Sequence, residues 1–365
     1  MQQRPPQRFS LIGLPAWSVV LPVLALAALF LPGSSVLATV VSALVLGGTV
    51  LAAVHHAEVV AAKTGEPFGT IILAIAVTVI EVALIVSMML SDGHGARELA
   101  RDTVFAAQMI VLNGIIGVCL LVGGSRHHEQ SYTQYGVSAG LAMIATLAAL
   151  TLVLPNYTSS VPGPFYSPTQ LAFVGAVSLI IYGVYVFGQT LRHRAYFLPE
   201  NGPDDSDGHG PTPPTRTTVL SFALLLAALA GVVLLAKQLS PVIKGLVATA
   251  GAPPALVGII IAALVLMPEG LAAVRAAAAD RLQTSLNLAI GSALATIGLT
   301  IPVVAAVALL GGFELALGLS EKSIVLLVLT LFVASLSLGT GRTTILQGTA
   351  HLVIFAAYLF TVLVP

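Results

Sequence analysis

The sequence predicts an all-α polytopic membrane protein: about eleven transmembrane helices, with an N-terminal helix followed by two inverted five-helix repeats. Three observations carry that expectation. Charged residues make up only 8% of the 365 positions and hydrophobic ones 57%, whereas a soluble domain is about 25% charged. The mean hydropathy is +1.00, and the apolar residues suffice for roughly ten spans of about 20 residues each. One hydrophilic stretch then divides the later spans into two groups of five. Fifteen Lys and Arg with fifteen Asp and Glu cannot cover a water-exposed surface, so a soluble enzyme, a nucleic-acid binder and a secreted disulfide scaffold are excluded. The single cysteine, Cys119, lies inside an apolar run; alone it closes no intrachain disulfide and builds no metal site. Long continuous runs, rather than alternation at period two, favour helices over a β-barrel.

Charge, Gly and Pro bound each expected helix. The first, 14–31, follows Arg4 and Arg8 and reads as a signal anchor, because the run is long and ten further spans follow. The second, 36–57, ends at His55, His56 and Glu58, and the third, 67–91, opens after Glu66 and carries Glu81. The fourth, 103–123, runs from Asp102 towards Arg126. The fifth and sixth, 136–154 and 168–190, are limited by Pro155, Pro168 and Arg192. After the hydrophilic stretch come 218–239, then 254–274 between Pro253 and Arg275, and 283–311 from Arg281 to Gly312. The last two, 323–338 and 344–363, follow Lys322 and Arg342.

This gives a segment 1–35 with the first helix, a first repeat 36–190, a linker 191–217 and a second repeat 218–365. The linker holds Pro199, Glu200, Asp204, Asp205, Asp207, His209 and Pro211, a composition that buries no core and reads as a flexible cytoplasmic tether. With the N-terminus in the cytoplasm, ten Lys and Arg fall on the inner side and five on the outer. That bias supports the cytoplasmic membrane with N-in orientation. An odd number of crossings per repeat inverts the second copy, a design in which substrates bind near the bilayer midplane.

A weak internal repeat agrees. A shift of 188 residues lays Ile71, Ile72 and Ala74 over Ile259, Ile260 and Ala262, and Glu81 over Glu269. In the following helix, a shift of 178 lays Asp102 over Asp280 and Asn113–Gly114 over Gly291–Ser292. Of the fifteen acids, only Glu81 and Glu269 lie well inside apolar runs, with no Lys or Arg at their depth. A carboxyl group at a helix centre costs about 2.5–3.5 kcal/mol on the translocon scale. Each must therefore be protonated, hydrated in a cavity or neutralised by a bound cation. One such residue alone is readily a protonated hydrogen-bonding group between helices. Two at equivalent positions point to a site that alternates between protons and a cation.

The neighbours suit that role. Pro268 removes an N–H and frees the carbonyl of Leu264, and such carbonyls at membrane depth belong beside a cavity. Thr78 lies one turn before Glu81. Asn113, Asn287, Ser292 and Thr296 are candidate oxygen donors, each also readable as an ordinary interhelical hydrogen-bonding residue. His55 and His56, with Glu58 and Glu66, form a candidate proton relay, while His351 reads as a packed, hydrogen-bonded histidine. The remaining histidines lie in loops. No phosphate loop and no zinc motif is present, so no nucleotide and no cofactor is expected, and energy comes from an ion gradient or a partner.

Several motifs together resemble the Ca2+/cation:proton antiporter superfamily, in its bacterial ChaA-type branch. They are His56-Ala57-Glu58, Gly65-Glu66-Pro67-Phe68-Gly69, the Glu81 helix, Pro268-Glu269-Gly270-Leu271, Gly291-Ser292, Gln189-Thr190-Leu191-Arg192-His193, Thr340-Gly341-Arg342-Thr343 and Gly348-Thr349-Ala350-His351-Leu352. The resemblance spans nearly the whole chain. It implies eleven helices, alternating access, and Glu81 and Glu269 as the residues that exchange Ca2+ for protons, with Gly291-Ser292 and Asn113-Gly114 as the following motifs. Where the family carries an asparagine three residues before each glutamate, this chain has Thr78 and Leu266. Selectivity among Ca2+, Na+ and K+ is thereby left open. The expected activity is export of Ca2+, and of Na+ or K+, against protons. The alternatives are a monovalent Na+/K+:proton antiporter, a cation channel without proton coupling, and a membrane enzyme using two acids with a metal. The expected partners are inorganic cations, protons and the lipid bilayer.

Overall fold

The computed structural model describes residues 10–11, 13–30, 36–64, 76, 78–87, 89, 97–198 and 213–364. Glu66, the linker acids Asp204, Asp205 and Asp207, His209, and much of the predicted third span lie outside the described residues. Among the described residues, eight helices are long and apolar enough to cross a membrane, and three shorter ones accompany them. In chain order the described helices are α1 (Ala16–Ala28), α2 (Val36–Thr64), α3 (Thr78–Ser87), α4 (Leu99–His127), α5 (Gln134–Asn156), α6 (Pro168–Arg192), α7 (Thr215–Thr249), α8 (Ala255–Ala278), α9 (Leu282–Gly311), α10 (Glu321–Ser337) and α11 (Ile345–Leu363). Each expected span therefore has its helix. Helices α2 and α7 overrun the predicted 36–57 and 218–239, because their ends stay helical where the sequence turns polar and hydropathy no longer marks them.

Contacts divide the chain into two compact units. The first comprises Met1–Ile80 and Asp204–Ile243. Here a two-residue hairpin, Ser10–Leu11 against Leu14–Pro15, turns at Gly13 with φ +80°, a backbone angle that suits glycine. Helix α1 packs along α2. The Thr49 hydroxyl donates within α2 to the Val45 carbonyl at 2.6 Å, so this polar group is satisfied inside its own helix.

The second unit comprises Glu81–Pro203 and Lys244–Pro365. Helix α4 is its most enclosed rod, with 83% of its apolar window buried against 22% for α11. It touches α8, α9 and α11, while α9 also packs on α5, α6 and α8. Midway, Ile110–Ile115 of α4 takes a π turn, a local widening often found at functional sites. The loops lace together at both ends of α4. Near its start, the Ala316 amide donates to the Arg97 carbonyl at 3.1 Å and the Leu317 amide to Pro164 at 3.1 Å. Past its end, Gln130–Ser131 pairs antiparallel with Arg342–Thr343. Capping boxes at Ser167/Gln170 and Thr344/Gln347 start α6 and α11.

Lipid tails are as apolar as leucine, so close backbone approach has to hold such helices together. The α4–α11 crossing shows it. A Cβ on Gly348 would stand 2.6 Å from the Leu121 amide nitrogen and 2.9 Å from the Gly117 carbonyl oxygen. Backbone atoms cannot swing aside, so only glycine permits this crossing. Gly348→Val is expected to destabilise the fold by about 1–3 kcal/mol, read as a lowered unfolding temperature of the detergent-solubilised protein. Gly183→Ala, which meets nothing within 4 Å, should leave that temperature unchanged.

Candidate functional site

Glu81 and Glu269 come from different helices and are held by the same turn of a third. Helix α3 carries Glu81, which is 3% exposed, and α8 carries the partly buried Glu269. The Thr296 hydroxyl of α9 donates to Glu81 Oε2 at 2.9 Å, and the Ser292 hydroxyl donates to Glu269 Oε2. Ser292 and Thr296 are four residues apart, hence on one face and separated by about 6 Å of helix rise. The two carboxyl groups are thus bonded to positions one turn apart along α9. Among the described residues, neither forms an ion pair. Glu81 Oε1 is buried without a hydrogen-bond partner. Two carboxyl groups, two hydroxyls and no fixed cation make a site that can take positive charge from outside.

The other predicted residues scatter. Thr78 is buried one turn before Glu81 on α3. Pro268 is buried, and α8 remains one helix through it. At Gly291 a Cβ would meet nothing within 4 Å, so its surroundings are open. The two asparagines are engaged away from the carboxyl groups. Asn113, in the π turn, donates to the Thr330 hydroxyl at 2.8 Å and accepts from His351 Nδ1 at 3.2 Å. His351 Nε2 in turn accepts from the Ser337 hydroxyl at 2.7 Å, the packed environment expected of it. Asn287 donates to the Phe197 carbonyl at 2.6 Å and accepts from Gln283 at 2.9 Å. Both amides tie helices or loops together.

His56 lies in the first unit, with Nε2 donating to the Ser18 carbonyl at 2.8 Å. Its neighbour His55 stands 5.3 Å from the Trp17 ring and 3.9 Å from Glu58 Oε2, an exposed carboxylate. Charges near the start of α4 are already paired: Arg101 reaches Asp102 at 2.8 Å, Glu98 at 3.0 Å and the Gly318 carbonyl at 3.1 Å. They line a cavity of about 240 Å³ with Lys322 and Tyr358, and neither deep glutamate belongs to it. One residue at depth escaped the sequence reading. Gln108 is fully buried and donates to the Ala293 carbonyl of α9 at 2.8 Å. Its signal was available as a second amide, beside Asn113, within the apolar run 103–123.

The family model for sodium/calcium exchanger proteins matches residues 16–191 and 220–364. The y4hA protein of Sinorhizobium fredii (strain NBRC 101917 / NGR234) is 49% identical over 361 residues, covering 96% of this chain and 97% of that protein. The sodium-potassium/proton antiporter ChaA of Escherichia coli (strain K12) is 38% identical over 353 residues, covering 94% and 95%. The crystal structure of the H+/Ca2+ exchanger CAX superposes with a TM-score of 0.69 at 15% identity, covering 94% of this chain and 86% of that one. At that identity the likeness speaks for the fold. By sequence and fold together, the chain belongs to the sodium/calcium exchanger protein family, in the ChaA-type branch of the Ca2+/cation:proton antiporter superfamily, and is a multi-pass membrane antiporter of cations.

Proposed function

We propose that this antiporter resides in the cytoplasmic membrane, N-terminus inside, and expels Ca2+, and also Na+ or K+, against inward-moving protons at a site shared by Glu81 and Glu269. The observation that carries the reading is that one turn of α9 holds both carboxyl groups. An empty site with both groups ionised would leave two like charges in a low-dielectric interior, which is costly. A bound cation removes that cost, and so do protons. Each species therefore leaves only as the other arrives, which gives exchange rather than leak.

The hydroxyls support both states. A serine or threonine hydroxyl has one donor and two lone pairs, so Ser292 and Thr296 can donate to a carboxylate while turning oxygen towards an ion. Thr78 and the Leu264 carbonyl freed by Pro268 are further oxygen sources. The five-helix repeats 36–190 and 218–365 would rock about this site in alternating access. His56, Glu58 and Glu66 would relay protons at the cytoplasmic end of α2.

Paired carboxylates favour Ca2+, a hard cation that takes six to eight oxygens. A monovalent Na+/K+:proton exchange is the second reading, favoured by the 38% identical relative, a sodium-potassium/proton antiporter, and by the apolar Leu266 three residues before Glu269. Purified protein in proteoliposomes, offered Ca2+, Na+ or K+ across an imposed pH gradient, decides between them.

Glu81→Gln and Glu269→Gln should each abolish cation-driven pH change in these vesicles while inserting normally; normal transport by either variant refutes the site. Competition also fixes a sign. Lowering the pH protonates the carboxyl groups and must raise the apparent KM for the cation, by up to about tenfold per pH unit for each proton displaced. Initial rates at saturating cation should change far less. A KM independent of pH would mean that proton and cation bind at separate places.

A further inference from the structure

Gln108 does not belong to the site as read from the sequence, yet it reaches the same turn of α9. Its Nε2 donates to the Ala293 carbonyl at 2.8 Å, and Ala293 lies between Ser292 and Thr296, the residues that grip the two glutamates. A carboxamide is planar and small, so Oε1 lies within about 5 Å of that carbonyl. Gln108 Oε1 and Glu81 Oε1 are both buried without a hydrogen-bond partner. Two buried, unpaired acceptors on side chains that both bond to one stretch of α9 call for a positively charged or proton-donating guest.

We propose that Gln108 is a cation-contacting, specificity-determining residue, its Oε1 supplying a neutral oxygen beside Glu81. The inference rests on the two-glutamate reading above and deepens it. An amide oxygen does not take up a proton in the physiological range. It therefore stabilises the cation-bound state and leaves the protonated state untouched, tilting the competition towards the cation. It also gives the site, from α4, an amide oxygen where Leu266 on α8 offers none.

The test uses the full chain in proteoliposomes with Ca2+, Na+ and K+ in turn. Gln108→Met keeps side-chain length and apolar packing but removes the oxygen, and should raise the KM of the transported cation about tenfold with maximal rate little changed. Gln108→Glu keeps an oxygen at the same reach and should hold the KM at or below wild type at alkaline pH, with preference moved towards Ca2+. A Gln108→Met protein whose KM for every cation stays within about twofold of wild type overturns the proposal. So does one that loses rate alone, or a Gln108→Glu protein whose KM rises as far as that of Gln108→Met. Glu81→Gln, run beside them, separates the two ideas. If it transports normally, the glutamate site falls; if it is dead while Gln108→Met behaves as wild type, only the role of Gln108 falls.

Discussion

A carboxyl group inside a bilayer survives only where something replaces the solvation that water gave it. In this protein two such groups draw that replacement from one helical turn, through Ser292 and Thr296. The constraint propagates outward. Helix α9 has to run unbroken past both α3 and α8, and the 30 residues from Leu282 to Gly311 provide that length. Helices α4, α5 and α6 pack around it, so α9 runs through the interior of the unit.

Rigidity around the site comes from polar groups satisfied in pairs and from backbones that touch. The chain Thr330–Asn113–His351–Ser337 joins α10, α4 and α11 at the π turn, and the glycine crossing at Gly348 holds α4 against α11. Neither feature touches a glutamate. Both fix α4, which carries Gln108 to the Ala293 carbonyl. A buried polar network with every member paired specifies one arrangement of its helices, and here it specifies how α4 meets α9.

Much of this was legible in the sequence, for identifiable reasons. Hydrophobic spans and their breaks are local signals, so the eleven segments map onto helices α1 to α11 over the residues described. Glu81 and Glu269 stood out because charge at depth is costly and therefore rare. Asn113 and Asn287 were harder to read. An amide accepts whatever partner the fold brings, and the partners of Asn113 lie 217 and 238 residues away. Sequence alone could say that these amides bond between helices, and it could not say to which group. Gln108 went unread for the same reason: an amide in an apolar run has no assigned partner until the packing of α4 on α9 is known.

The grip of α9 also sets a length. The distance between its two hydroxyl-bearing positions is a property of the helical pitch, which substitutions on neighbouring helices cannot stretch. The turn thereby serves as a ruler, and the gap it measures out is inherited from covalent geometry rather than tuned by packing. Divergent relatives that keep the two hydroxyl positions will keep the gap, and any retuning for a larger or smaller ion must come from the oxygens placed around it.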